Sequence, residues 1–321
     1  MTRTTSRILV TGACGQIGSE LTMALRERHG SSNVVAAGHI AKPQQTLRDS
    51  GPFVTIDVRN RAEIVQAVED YQIDTIYHMA AILSVTGEEK PNLAWDVNMS
   101  GLINVLEVAR DRGLLRVFCP SSIAVFGPET PRDCAPQATI LQPTTMYGIT
   151  KVTGELLGEY YVQRFGLDVR GMRYPGIVSS ETPPGGGTTD YAVDIFYQAL
   201  QSKHYACFVR PDTVLPMMYM PDCIKATLDL MDADLDALTS LCSFNIAGMS
   251  FSAEQLAAEI KKHIPEFVCE YKPDFRQAIA DSWPRTIDDT PAREQWGWRP
   301  QFDLTSMTAD MLEKLTPRLK S

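Results

Sequence analysis

The stretch YGITK sets Tyr147 and Lys151 four residues apart, the spacing that puts two side chains on one face of a helix. A phenol and an ammonium so placed can serve one proton transfer. A free tyrosine titrates near about 10, too high for a base at neutral pH, and a neighbouring positive charge favours the phenolate. Upstream, FCPSSIAVFG ends an apolar run in two hydroxyls, Ser121 and Ser122. A hydroxyl there can steady the oxygen of an alcohol or ketone while the tyrosine moves its proton. A lone Y-x-x-x-K is common by chance, and its plain reading is an amphipathic helix with one surface lysine. The serine pair and a distant glycine turn argue against chance.

That turn lies in RILVTGACGQIGSEL, where Gly12, Gly15 and Gly18 fall three apart between an apolar run and a helical pattern. Glycine permits the tight turn and a close backbone approach, and the helix start beyond it offers free N–H groups. Such a turn is a cradle for a pyrophosphate. A glycine turn that binds nothing is the competing reading, and the position at the first strand and first helix of a βαβ unit weighs against it.

The elements needed to hold these residues can be read along the chain. RILVTG, NVVAAG, FVTIDV, DTIYHMAA, LRVFCPSS and DVRGMRYP read as strands. QIGSELTMALRERHG, RAEIVQAVEDY, NLAWDVNMSGLINVLEVARDRG and TTMYGITKVTGELLGEYYVQRFG read as the helices between them. Short apolar strands alternating with amphipathic helices imply a parallel sheet covered on both faces. After Pro175 the rhythm breaks into ETPPGGGTTD, a loop dense in proline and glycine, followed by shorter elements and frequent proline. Residues 1–175 read as a dinucleotide-binding unit and 176–321 as a smaller lobe over its cleft.

Composition narrows the function classes. A chain of 321 residues, 44% hydrophobic, can bury a core without metal or disulfide staples. The net charge of −9 argues against a nucleic-acid partner, which wants basic patches. No apolar run approaches the roughly 20 residues a membrane span needs. Seven cysteines, none in C-x-x-C spacing, read as reduced thiols in the cytoplasm or mitochondrial matrix, and no His/Cys cluster suggests a metal. Cys14, inside the glycine turn, reads as a small residue that fits, or as a thiol open to oxidation.

The G-x-x-G-x-x-G turn, Tyr147, Lys151 and Ser122 together resemble the extended branch of the short-chain dehydrogenase/reductase superfamily. The resemblance implies an α/β fold: a Rossmann-type doubly wound parallel sheet with a smaller C-terminal α/β substrate lobe, which often lends a late strand back to the sheet. It implies Tyr147 as general base, with Lys151 also holding the nicotinamide ribose and Ser122 orienting the substrate oxygen. It places Gly12, Gly15, Gln16, Ile17, Gly18, Asp57, Val58, Met79, Ala80, Ala81, Asn98, Tyr147, Lys151, Tyr174, Pro175 and Ile177 at the cofactor. Asp57 in TIDVRN matches a residue that hydrogen-bonds adenine; it reads equally as the start of the next helix. His78 reads as structural. Asn98 matches an asparagine that bends its helix. The second strand departs from the pattern: Gly38 and His39 stand where an acid usually meets the adenosine ribose. Lys42 and Arg48 downstream could meet a 2′-phosphate. NAD remains the expected cofactor.

Three segments, VFCPSSIAVFGPETPRD, QPTTMYGITKVTGELLGEYY and RYPGIVSSETPPGGGTTDYAVDIFYQAL, resemble the family of short-chain-type L-threonine 3-dehydrogenases. That resemblance implies oxidation of the β-hydroxyl of L-threonine to L-2-amino-3-oxobutanoate, with hydride passing to nicotinamide C4. A small zwitterion needs partners for its ammonium and carboxylate. Ser84, Ser121, Ser122, Tyr147, Gly187, Thr188, Thr189, Asp190 and Trp283 are the candidates. Asp190 reads as a ligand, as a loop fastener or as the cap of the following helix. Trp283 reads as a cover for the pocket or as core. Two other functions compete: a nucleotide-sugar epimerase or dehydratase, and a non-enzymatic dinucleotide sensor. The first needs a diphosphate site, which Lys203, Arg210 and Arg285 do not form by spacing. The second tends to lose the Tyr or Lys. The superfamily implies a homodimer through helices 92–112 and 147–165.

Overall fold

The run ILVT forms strand β1 (Ile8–Thr11), and all four residues are buried, as a strand covered on both faces requires. The strands that follow are β2 (Val34–Gly38), β3 (Phe53–Thr55), β4 (Thr75–His78), β5 (Arg116–Phe118), the short β6 (Ser121–Ser122) and β7 (Val169–Arg170). The computed structural model describes residues 6–183, 185–239 and 241–320. The first five residues of the N-terminal unit, Pro184 of the glycine-rich loop, and Ser240 and Ser321 of the C-terminal lobe lie outside the described residues. Six strands form one sheet in the order β3-β2-β1-β4-β5-β7, every pairing parallel. The order reverses between β1 and β4. In an open α/β sheet the ligand crevice lies beyond the carboxyl ends of the strands at that reversal.

Four helices wind around the sheet: α1 (Gln16–His29), α2 (Arg61–Asp70), α3 (Gly101–Arg112) and α4 (Met146–Phe165). Alternate strand residues serve opposite faces. Ile8 and Val10 join Leu21 and Leu25 of α1 in one apolar cluster. Leu9 joins Ile64 of α2 and Leu102, Val105 and Leu106 of α3 in another.

Three long elements read from the sequence are interrupted, each for a local reason. The strand expected over LRVFCPSS stops at Phe118. Pro120 has no N–H with which to continue a ladder, and Ser121–Ser122 turn away to pair with β8 (Met172–Tyr174). The strand expected over DVRGMRYP divides at Gly171, whose N–H donates to Leu241 O (2.8 Å) instead of continuing the sheet. The helix expected over 92–112 contains a π-helical turn, Asp96–Ser100, between a short helix Pro91–Trp95 and α3. A π-turn accommodates one extra residue and is a recurrent marker of functional sites.

Beyond β9 (Gly176–Val178), the chain forms α5 (Tyr191–Gln201), β10 (His204–Cys207), β11 (Val214–Tyr219), α6 (Met220–Asp232), β12 (Phe244–Asn245) and β13 (Met249–Ser252). β11 pairs parallel with β9 and antiparallel with β13. β12 returns to lie parallel beside β8. Ala226 and Leu230 of α6 pack in the α1 cluster. A third cluster, with Tyr191, Phe196, Tyr205 and Phe251 at its centre, holds the later elements together and includes Trp283.

Candidate active site

The glycine turn lies at the carboxyl end of β1, where the sheet order reverses. Gly12 has φ 67°, and a Cβ there would lie 2.5 Å from the backbone N of Ala80, just past β4. Only glycine allows these two strand ends to meet so closely. Thr11 and His78 tie the same ends together through Oγ1 and Nδ1 at 2.9 Å. Helix α1 begins at Gly15 with no side-chain cap and no acidic residue in its first turn. Gln16, Ile17 and Gly18 line an open cleft. An uncapped, acid-free helix start behind a bare glycine backbone fits a pyrophosphate.

The candidates Ser122, Tyr147 and Lys151 stand across this cleft. Thr145 caps α4 by accepting from Gly148 N–H at 3.1 Å. A side chain on Gly148 would collide with the carbonyl of Ala124. Glycine at 148 therefore lets the first turn of α4 seat directly on the turn Ile123–Val125. Ser122 begins that turn, its Oγ accepting from Ala124 N–H at 3.2 Å. Tyr147 and Ser122 consequently line the same cleft. Lys151 Nζ donates to Pro120 O (2.7 Å) and lies 5.6 Å from the centre of the Tyr147 ring. His78 is buried; burial, reinforced by the Lys151 charge, pushes its pKa down to about 3. Its imidazole is neutral and serves the strand ends.

Beneath Ser121 lies a group that the sequence reading missed. Glu155 is buried on α4 and accepts from Ser121 Oγ (2.5 Å) and from both Nε and Nη2 of Arg173 (2.8 Å each). Arg173, on β8, also donates to Gln137 O and Asn245 Oδ1 (3.1 Å each). This network fastens α4, β6, β8 and β12 to one another. Its one sequence signal is position: Glu155 lies four residues after Lys151, on the same helix flank.

At the other side of the cleft, Ser84, Gly187, Thr188, Thr189, Asp190 and Trp283 come together with Ser121 and Ser122. Ser84 Oγ and Thr188 Oγ1 are 3.3 Å apart and buried. Asp190 sits at the start of α5 without capping it; its Oδ2 accepts from the N–H groups of Gly186 (2.7 Å) and Gly187 (2.8 Å). It fastens the glycine loop. Trp283 is buried in the later core and also lines the cleft. Met79, Ala81, Tyr174, Pro175 and Ile177 line the middle of the cleft, joined by Leu83, Pro120, Ile123 and Gly176, which sequence reasoning did not single out.

Four residues expected at the cofactor stand outside that lining. Ala80 backs onto Gly12. Val58 is buried beneath α3, against Gly101. Asn98, in the π-turn, brackets the backbone of Ile82 through its Oδ1 (2.7 Å from Ile82 N) and Nδ2 (3.0 Å to Ile82 O), and Nδ2 reaches Thr150 Oγ1 (3.1 Å). It positions the strand exit before Ser84 against α4. Asp57 does not cap α2, a task taken by Asn60. Its carboxylate accepts from the backbone N–H (3.0 Å) and guanidinium (2.6 Å) of Arg59, which hold its pKa down to about 2.

A glycine turn at the switch point of a doubly wound sheet, facing a Ser–Tyr–Lys set, is the arrangement of a dinucleotide-dependent enzyme class. Residues 8–247 match the NAD dependent epimerase/dehydratase family, and the chain belongs to that family. Within it, the chain is 47% identical over 307 residues to the mitochondrial L-threonine 3-dehydrogenase of Bos taurus, covering 95% of this chain and 82% of that one. The holo form of the GalE-like L-threonine dehydrogenase of Cupriavidus necator superposes with a TM-score of 0.94 at 50% identity, covering 96% of this chain and 99% of that one. A monomeric L-threonine 3-dehydrogenase from a metagenome, in its apo form, superposes with a TM-score of 0.93 at 48% identity, covering 97% and 99%.

Proposed function

We propose that this protein is an NAD-dependent L-threonine 3-dehydrogenase that oxidises the β-hydroxyl of L-threonine to L-2-amino-3-oxobutanoate. The observation that carries the reading is the small, hydroxyl-rich end of the cleft, where Ser84, Thr188 and Thr189 meet Ser122 and Tyr147. Gly12, Gly15 and Gly18, with the uncapped start of α1, hold the pyrophosphate. NAD, when bound, supplies the hydride acceptor. Ser122 Oγ holds the substrate oxygen, and Tyr147 takes the hydroxyl proton at its phenol oxygen. Lys151, anchored on Pro120 O, keeps a positive charge beside that ring. The hydroxyls and the bare N–H groups of the glycine loop meet the amino-acid ends of the substrate, and Trp283 closes the pocket. In this division of labour residues 1–175 carry the dinucleotide and 176–321 supply the substrate lobe.

A nucleotide-sugar reading needs cations for a diphosphate. Arg210 pairs with Asp281 (2.8 Å), Lys203 with Glu266 (3.1 Å) and Arg285 with Asp133, and none of the three lines the cleft. The test is appearance of reduced nicotinamide absorbance on mixing the protein, NAD and L-threonine. Turnover with threonine is the expected result. Absence of turnover, together with a rise in melting temperature on adding a UDP-sugar, would move the assignment to nucleotide sugars.

Trp95 and Ile103, in the helical run through α3, and Ile149, Leu156 and Tyr160 on α4 expose large apolar side chains. These faces suit pairing of two copies as a four-helix bundle. Light scattering should return about twice the chain mass; a single-chain mass, as for the monomeric metagenome relative, would refute the pairing. No described helix is long and apolar enough to cross a membrane. All seven cysteines are free, as suits a reducing cytoplasm or mitochondrial matrix.

A further inference from the structure

We propose that the adenosine end of this cleft admits a 2′-phosphate, so that the enzyme takes NADP as well as NAD. The inference rests on the dinucleotide reading above. Sheet order locates the place. A dinucleotide with its pyrophosphate on the glycine turn and its reacting end at Tyr147, beyond β4 and β5, must extend its adenosine toward β2 and β3. The end of β2 touches that turn: Ala13 N–H donates to Ala37 O at 2.9 Å. A Cβ on Gly38 would lie 2.7 Å from Cys14 Sγ and 3.1 Å from the Phe53 ring. With glycine at 38, His39 is the first side chain past β2 able to meet the ribose.

A carboxylate at this position bonds the ribose hydroxyls of NAD, and its charge opposes a phosphate there. Here the position has none. The carboxylate within reach of His39 is Asp57, whose Oδ2 lies 3.8 Å from Nε2. Arg59 already occupies both oxygens of Asp57, at 3.0 Å to Oδ1 and 2.6 Å to Oδ2, and so offsets its charge. Lys42 and Arg48 follow on the same exposed stretch, and neither has an acidic partner within 4.0 Å among the described residues. The stretch past β2 thus carries an imidazole and two cations without acidic partners, beside a carboxylate held by Arg59, which Asp96 shares at 3.4 Å, a setting that receives a phosphate. The redox step is unaltered: the β-carbon gives up a hydride, the hydroxyl proton goes to Tyr147, and the 2′-phosphate adds binding without reacting.

Equilibrium binding by isothermal titration of the full chain, with NAD and with NADP and without substrate, tests this apart from turnover. Kd for NADP is expected within about thirtyfold of that for NAD, with the NADP affinity more sensitive to added salt. His39→Asp should weaken NADP by at least about thirtyfold further and leave NAD within about threefold. Lys42→Ala should weaken NADP selectively. NAD binding with NADP weaker by more than about thirtyfold in the unaltered chain overturns the proposal and leaves the dehydrogenase reading standing. An unchanged preference in His39→Asp overturns the role given to residue 39. Failure to bind either dinucleotide overturns both readings.

Discussion

Tyr147→Phe is expected to lower kcat with L-threonine by roughly 10²–10⁴-fold, the range that general acid–base catalysis contributes. The phenol oxygen is the group placed to take the substrate proton, and the ring alone cannot. No described residue hydrogen-bonds that hydroxyl, so its removal breaks no hydrogen bond among the described residues. NAD affinity and melting temperature should therefore stay close to those of the unaltered enzyme. KM for threonine should change little, because the lost interaction belongs to the transition state rather than to the bound substrate. Steady-state kinetics beside a thermal melt checks this. A variant with more than a tenth of the original kcat would remove Tyr147 from the base role.

The second large effect concerns stability. Arg173→Met strips the buried carboxylate of Glu155 of its bidentate partner and leaves the Ser121 hydroxyl as its one remaining donor among the described residues. Removing one member of a buried pair typically costs about 3–5 kcal/mol, because an uncompensated charge stays behind. The same change frees Gln137 O and Asn245 Oδ1, so β8 keeps its backbone ladder to β12 but loses the side-chain ties to Asn245 and to the segment before α4. Urea unfolding should show the loss. Adding Glu155→Leu to Arg173→Met should recover part of it, since the double variant buries no unpaired charge. A cost below about 1 kcal/mol in the single variant would mean that water reaches Glu155 and that the network is not the clamp described.

Comparing cleft and sequence shows a division by range. The glycine turn, the Tyr147–Lys151 pair and the serine pair were legible because each spans only a few neighbouring residues. Three glycines between a strand and a helix allow a close approach wherever the helix goes, and four-residue spacing puts two side chains on one helix face in any fold. The PPGGGTTD segment declared a loop by composition, but not the direction of Asp190. As a short acid before a helix it suits a cap by sequence, yet it turns back to the N–H groups of Gly186 and Gly187. Asp57 likewise read as an adenine contact or a helix start. Its choice of Arg59 depends on how the backbone turns after β3, which no periodicity reports.

What the sequence by itself determined is the alternation of buried strands with covering helices, hence a doubly wound sheet, and the local motifs at its carboxyl edge. Those follow from hydrophobic period and turn chemistry, which act over a few residues. The tertiary structure alone decided which distant groups support them. Glu155 meets Ser121 and Arg173, and Arg173 meets Asn245, across gaps of 34, 18 and 72 residues. The break after Phe118 that sends Ser121 and Ser122 to β8, and the π-turn that aims Asn98 at Ile82, belong to the same class. A buried ion pair or a bracketed backbone is specified by the three-dimensional meeting of chain segments, and residues so far apart leave no spacing from which to read it.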